Sequence, residues 1–456
     1  MKKQPRLGKQ LKTAGVCMGM VVSSAIALHA DPMAADPSAT DPQSMQKLTQ
    51  ENKDLKARLD ALETAAEKEG WMPSNKGGNS SVAALSDITL SGFITTSYFH
   101  DSSEPAGHVS PGYLWNRVND NFSLNKIKVT LASKPVERSG DKFDAAFRVS
   151  LIYGQDAPVV NSGFNGNHST VTTTPGGATG TYNNDSGFNA VREAYVELNI
   201  PIGTGVNFRA GEMISLLNYE SGDGGAANAN FSQGYQWFFT GNGPAEGIQL
   251  GYTLTDWADV KLRVQNGTYA GPIDNNSSKS FIAALDLKPL KNLWVNGLVF
   301  GGREDAGFTE NLIGAEILAG WNPTPQWTFG TELDWFNFYN PHLAAPPAAY
   351  AAGHSDVYSA GLWTDYAFTK QFDLALRAEY LADHDGVDAS GGALGFMNPV
   401  GVGQDLSSVA VTLNYTPVPA IKFQPEIRYD HTSYSGGFVP GKQNRVIFGA
   451  GLSYLF

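Results

Sequence analysis

From Arg445 to the C-terminus, apolar and mostly large residues alternate with small or polar ones. Val446, Phe448, Ala450, Leu452, Tyr454 and Phe456 share one parity; Arg445, Ile447, Gly449, Gly451, Ser453 and Leu455 share the other. A period of 2 predicts a β-strand whose two faces meet different surroundings. The pattern recurs upstream. In 420–432, Lys422, Gln424, Glu426, Arg428 and Asp430 lie on one face and Ile421, Phe423, Ile427 and Tyr429 on or near the other. In 371–382, Asp373, Arg377 and Glu379 oppose Phe372, Leu374, Leu376 and Tyr380; in 258–265, Asp259, Lys261, Arg263 and Gln265 oppose Val260, Leu262 and Val264. Strands 292–301 and 356–369 alternate poorly, and Arg192 and Pro425 fall on the apolar parity, Arg192 near an outer rim.

Read this way, 88–456 holds about 16 strands: near 88–101, 121–133, 142–154, 188–201, 204–212, 245–255, 258–268, 278–288, 292–301, 311–322, 325–339, 356–369, 371–384, 406–416, 420–432 and 444–456. Short turns such as 202–203, 256–257, 323–324 and 370 alternate with long, Gly/Asn/Ser-rich connections such as 155–187, 213–244 and 385–405. An even count returns both ends to the side of the short turns. The fold class this predicts is an all-β transmembrane barrel of about 16 antiparallel strands, apolar face in lipid and polar face in water. A soluble sandwich alternates too, polar face outward. Aromatic residues at strand ends (Trp321, Trp327, Trp335, Tyr339, Tyr454, Phe456) favour the membrane, as does the N-terminus.

There, Lys2, Lys3, Arg6, Lys9 and Lys12 precede an apolar stretch, Ala14–Leu28, and a cleavage site at Leu28-His29-Ala30. Residues 1–30 read as an export signal, too short for a membrane-spanning helix. Cys17, the only cysteine, lies within it, so the mature chain has no disulfide. Linkers 31–42 and 70–87 flank a helical segment, 43–69, without Pro or Gly. Met45, Asn52, Leu59 and Ala66 repeat every seven residues, with Leu48, Leu55 and Leu62 in step, the core of a periplasmic α-helical coiled coil. A stripe so narrow favours self-association, here a homotrimer, over packing on the barrel. The segment is also placed to contact peptidoglycan.

The signal carries five of the 32 basic residues and none of the 44 acidic ones, leaving 27 against 44 and a net charge of −17. Such a balance argues against nucleic acid as a partner.

Arg192-Glu193-Ala194-Tyr195-Val196-Glu197-Leu198, then Phe208-Arg209-Ala210-Gly211-Glu212, Asn218-Tyr219-Glu220, Asn228-Ala229-Asn230-Phe231-Ser232, Gly247-Ile248-Gln249-Leu250-Gly251-Tyr252 and Val264-Gln265-Asn266-Gly267 follow in order. This block resembles the OmpL-like β-barrel porins of the Gram-negative outer membrane. Members usually carry Lys where Glu212 stands and Gly near Asn218. The resemblance implies passive diffusion of small solutes, with no transferable catalytic residue. The terminal strand, with Leu452, Tyr454 and Phe456, likewise resembles the signal read by the barrel-assembly machinery, and the surrounding partner is outer-membrane lipid.

Sixteen strands enclose a water-filled lumen. Connection 213–244 stands where general porins fold a loop inward, and Glu212, Glu220, Asp223, Tyr235 and Trp237 are its candidate constriction residues. Inward parity gives a basic wall of Lys126, Lys128, Arg148, Arg209, Lys261 and Arg263. It gives an acidic wall of Asp286, Glu316, Glu332, Asp334, Asp365, Asp373 and Glu379. Opposed walls set a transverse field that selects hydrophilic solutes; such charges also serve simply to solvate a wide pore.

Other chemistry has little support. Asp383-His384-Asp385-Gly386-Val387-Asp388 lacks the terminal Glu of a calcium loop. The histidines show no metal spacing, and neither a nucleophile elbow nor a phosphate loop is found, so no cofactor, metal or catalytic residue is assigned. The sequence reads as a mildly cation-preferring diffusion porin. The alternatives are an anion- or solute-specific porin, and an envelope tether with a plugged barrel.

Overall fold

The structure is a computed structural model that describes Lys53 and residues 88–456, except 158–170, 174–179, 183–189, 242–243, 269–273, 275, 305–309, 344–348, 351–352, 391–394 and 400. The signal peptide and the coiled-coil core (Met45, Leu48, Asn52, Leu55, Leu59, Leu62) lie outside the described residues.

Sixteen antiparallel strands close into one barrel in sequence order. They are β1 Ile88–Asp101, β2 Ser123–Ser133, β3 Asp144–Tyr153, β4 Val191–Ile200, β5 Val206–Met213, β6 Ala245–Thr255, β7 Ala258–Gln265 and β8 Ser280–Leu290. Then follow β9 Leu293–Arg303, β10 Asn311–Trp321, β11 Trp327–Tyr339, β12 His354–Ala367, β13 Phe372–Asp383, β14 Gln404–Val418, β15 Ile421–Thr432 and β16 Asn444–Leu455. Two small hairpins, Val171–Thr173 with Gly180–Tyr182 and His342–Leu343 with Ala349–Tyr350, sit in long connections. Closure joins β1 to β16 from Phe93↔Leu455 to Asp101↔Ile447. Gly92 and Phe456 exchange backbone hydrogen bonds of 2.8 and 3.0 Å beyond that ladder. A closed sheet leaves no row of unpaired N–H and C=O groups, the condition for crossing lipid with strands.

The outside is apolar and the inside polar, the reverse of a soluble barrel. Ile313, Ile317, Leu333, Leu362, Val409 and Ile427 are exposed on the outer face, whereas Thr95, Glu316, Thr412 and Gln424 are buried on the inner one. Trp321, Trp327, Tyr366, Phe368 and Phe329 form a chain of ring contacts of 4.6–5.8 Å at the short-turn end. Trp335 and Tyr339 stand exposed towards the other end of β11.

Two of the three departures from alternation have physical causes. Towards the long-loop end, the inner wall turns apolar: Leu298, Phe300, Leu312, Phe336, Val357, Leu381 and Leu406 form one buried cluster with residues of the loops. That is why 292–301 alternates poorly; in 356–369 only Val357 of the inner face joins the cluster, whereas Ser359 bonds to Asp334. Arg192 is not at the outer rim. The β3–β4 register slips between Ser150 and Leu151, and this bulge turns Arg192 inward beside Glu193, both 3% exposed. Pro425 keeps the outward parity, opposite Ala450, and nothing in the structure explains it.

Candidate functional site

The connection 214–244 leaves β5 and folds into the lumen, where it bridges two walls. On the basic side, Asp223 Oδ2 lies 2.5 Å from Lys128 Nζ, and its Oδ1 lies 3.4 Å from Arg192 Nε. Lys126 Nζ donates to the Asp223 carbonyl at 2.8 Å and sits 3.5 Å over the Trp115 ring; Arg192 donates to the Gly222 carbonyl at 2.7 Å. Burial alone raises the Asp223 pKa, but the neighbouring cations Lys128 and Arg192 outweigh it and hold the carboxyl below its ordinary range.

On the acidic side, wall carboxylates accept the loop's N–H groups. Glu332 takes Tyr219 N–H at 2.5 Å and Asn218 Nδ2 at 3.3 Å. Asn218 has φ +85°, the left-handed region where Asn is among the few tolerated side chains. Helix α1, Tyr235–Phe239, presents its first N–H groups, from Tyr235 and Gln236, to Glu379 at 3.3 and 3.2 Å. Gln236 and Thr240 reach Asp334 Oδ2 at 2.6 and 2.7 Å. Further round, Glu426 accepts Phe231 N–H at 2.7 Å, and Arg428 donates to the Gln233 carbonyl at 2.6 Å. Arg377, fully buried, ties Glu220 (2.8 Å) to Glu379 (3.0 Å). Lys128 and Arg192 on one side and Glu332, Asp334 and Glu379 on the other thus hold the loop as a crosspiece anchored at both ends.

The remaining candidates divide by accessibility. Arg148 pairs with Glu193 at 2.5 Å, and Arg209 with Glu197 at 2.9 Å; these arginine side chains stay 38% and 32% exposed. Lys261 pairs with Asp286, and they are 24% and 20% exposed. Arg263 is buried and donates to Gln249 Oε1 at 2.9 Å and to the Ile214 carbonyl at 2.9 Å. Asp373 accepts Asn414 Nδ2 at 2.5 Å; it and Asp365 remain partly exposed. Glu316, Glu332, Asp334 and Glu379 are buried. So is Glu212, opposite Glu246 in the ladder. Tyr235 is fully buried, its hydroxyl accepting from Arg445 at 3.1 Å, and Trp237 stacks towards Trp115 at 6.0 Å. Leu452, Tyr454 and Phe456 are exposed on the outer face.

Sequence reasoning overlooked a second inward loop, 102–122, whose Tyr113, Leu114 and Trp115 are buried in the lumen. Arg428 and Arg445 stack on the Tyr113 ring at 4.5 and 5.0 Å. The run Tyr113-Leu114-Trp115 in a long connection was the available signal. Arg192 was hidden by its bulge.

No curated protein sequence matches the chain. Among solved structures, the anion-selective porin from Comamonas acidovorans is similar at TM-score 0.50 and 11% identity, over 81% of this chain and 99% of that one. The outer membrane channel DcaP of Acinetobacter baumannii is similar at TM-score 0.49 and 11% identity, over 81% and 97%. OmpT of Vibrio cholerae gives 0.48 and 11%, over 81% and 97%. Residues 87–456 match the family model "Putative beta-barrel porin-2, OmpL-like". With its closed 16-strand barrel, apolar outside and loop-crossed polar lumen, the chain belongs to this family of outer-membrane β-barrel porins.

Proposed function

We propose that the protein is a passive-diffusion porin whose loop 214–244 constricts a water-filled lumen and sets the size and charge of the solutes that pass. The observation that carries this is the crosspiece itself, with Asp223 held by Lys128 and Arg192 at one end and Gln236 and Thr240 bonded to Asp334 at the other. A loop anchored at both ends narrows a pore without detaching under flow.

Its ion preference is mildly cationic. The mature chain carries a net −17, with five basic and no acidic residues assigned to the signal. Glu316, Glu332, Asp334 and Glu379 are buried, so the preference rests on the accessible carboxylates Asp286, Asp365 and Asp373. The accessible guanidinium groups of Arg148 and Arg209 favour the opposite reading, an anion-specific porin. The protein works as a homotrimer in outer-membrane lipid, inserted by the barrel-assembly machinery, with 43–69 as a periplasmic coiled coil near peptidoglycan. Liposomes carrying the purified protein test the diffusion role. Swelling in small neutral sugars that fades with sugar size is the predicted result; no swelling in any sugar favours the plugged tether.

A further inference from the structure

We propose that the junction between the acidic wall and loop 214–244 is a calcium site formed by Glu316, Glu332 and Asp334. One carboxylate oxygen from each of the three residues lies within 4.8 Å of those from the other two. Glu316 and Glu332 are each 1% exposed, and Asp334 is 5% exposed. The hydrogen-bond partners of the latter two are uncharged: Asn218 and Tyr219 for Glu332, and Gln236, Thr240 and Ser359 for Asp334.

A second observation points to a ligand. Both carboxylate oxygens of Glu316 are buried without a hydrogen bond of standard geometry, and the one donor that acts on them is the backbone N–H of Asn218. All three donors to Asp334 crowd onto Oδ2, while buried Oδ1 has none. Glu316 Oε1 and Oε2 and Asp334 Oδ1 are thus buried acceptors left without a well-placed donor, in carboxylates that lie close to one another. Burying charge in this way is costly unless a cation offsets it.

Chemistry selects the cation. The donors are all oxygen, which suits a hard ion rather than zinc or copper. Oxygens up to 4.8 Å apart can share a centre at the roughly 2.3–2.6 Å of a calcium ligand, whereas magnesium's roughly 2.0–2.1 Å draws them tighter. Glu316 supplies two oxygens, Asp334 Oδ1 a third, and Glu332 Oε1, held only by the 3.3 Å contact from Asn218, a fourth. Glu332 and Asp334 also hold the loop, so the ion would stiffen the crosspiece. The site does not depend on conduction, and its failure leaves the porin reading intact.

The test uses the full chain in detergent, stripped with a chelator and titrated calorimetrically with Ca²⁺ at neutral pH. Uptake of one ion per chain is expected. Glu316→Gln and Asp334→Asn, each still heat-modifiable on gels, should lose it. In the wild type, Ca²⁺ should also slow hydrogen exchange at Asn218–Thr240, a readout that needs no variant to fold. No uptake by the wild type would mean that the carboxylates share protons instead. Uptake by Glu316→Gln equal to the wild type, or exchange unchanged in that segment, would place the ion elsewhere. Either result overturns the assignment.

Discussion

Lys128 Nζ and Asp223 Oδ2 are 2.5 Å apart across 95 positions of chain, and this pair docks the tip of an inward loop onto the wall of β2. Asp223→Asn should weaken that docking by on the order of 2 kcal/mol, because Lys128 and Arg192 are left incompletely paired. The pH dependence follows the same pair. A carboxyl whose folded pKa is depressed adds stability above its unfolded value, about 3.9, and loses it as pH falls through the folded value. The Asp223 end of the loop is therefore predicted to stay docked from neutral pH down to about pH 4 and to loosen in stronger acid. Hydrogen exchange at Gly222–Gly224 recorded across that range should be slow and then faster; exchange that quickens near neutrality would contradict the assignment.

The accessible carboxylates predict selectivity. Wall charges act over a Debye length of about 10 Å at 0.1 M salt and about 3 Å at 1 M. Reversal potentials in a KCl gradient should show cation preference at low salt that shrinks as salt rises. Asp365→Asn with Asp373→Asn should reduce it further. Anion preference in the wild type would assign the narrowest point to Arg148 and Arg209.

The terminal strand predicts assembly. Phe456 exchanges backbone hydrogen bonds with Gly92, and its ring lies on the outer face. Phe456→Ala removes an apolar side chain worth about 2 kcal/mol when placed in contact with lipid, together with the last residue of the proposed assembly signal. Outer-membrane yield at native expression should fall, and an unchanged yield would count against that role.

The barrel was legible because its signal is local. Alternation along each strand and Gly-rich connections between them gave strands that end within a few residues of those observed, such as β1 at Ile88–Asp101 and β6 at Ala245–Thr255. The lumen was less legible because its contacts are distant in sequence. Parity can say that Glu332 and Lys128 point inward, but not that Tyr219 and Asp223 meet them. Parity also assumes one residue per step. The bulge at Arg192 breaks that assumption, and the apolar inner residues Leu298 and Phe300 break the assumption that inside means polar.

The heptad repeat predicts a separable oligomer contact. Deleting Gln43–Glu69 should lower the temperature at which the native oligomer dissociates on a gel while leaving a folded, heat-modifiable barrel. Three heptads are marginal alone, so in the proposed trimer the barrels must share in holding the subunits together. An oligomer as heat-resistant as the parent would remove any energetic role for the repeat.

The most direct test of a loop-constricted, water-filled pore is the conductance of the purified full chain in a planar lipid bilayer. The predicted result is stepwise insertion with steady, ohmic current, and a larger current per step in Asp223→Asn, whose loop is released at one end. A silent wild type would contradict the open pore and favour a plugged barrel. An ohmic wild type whose current the substitution leaves unchanged would contradict the loop as its constriction.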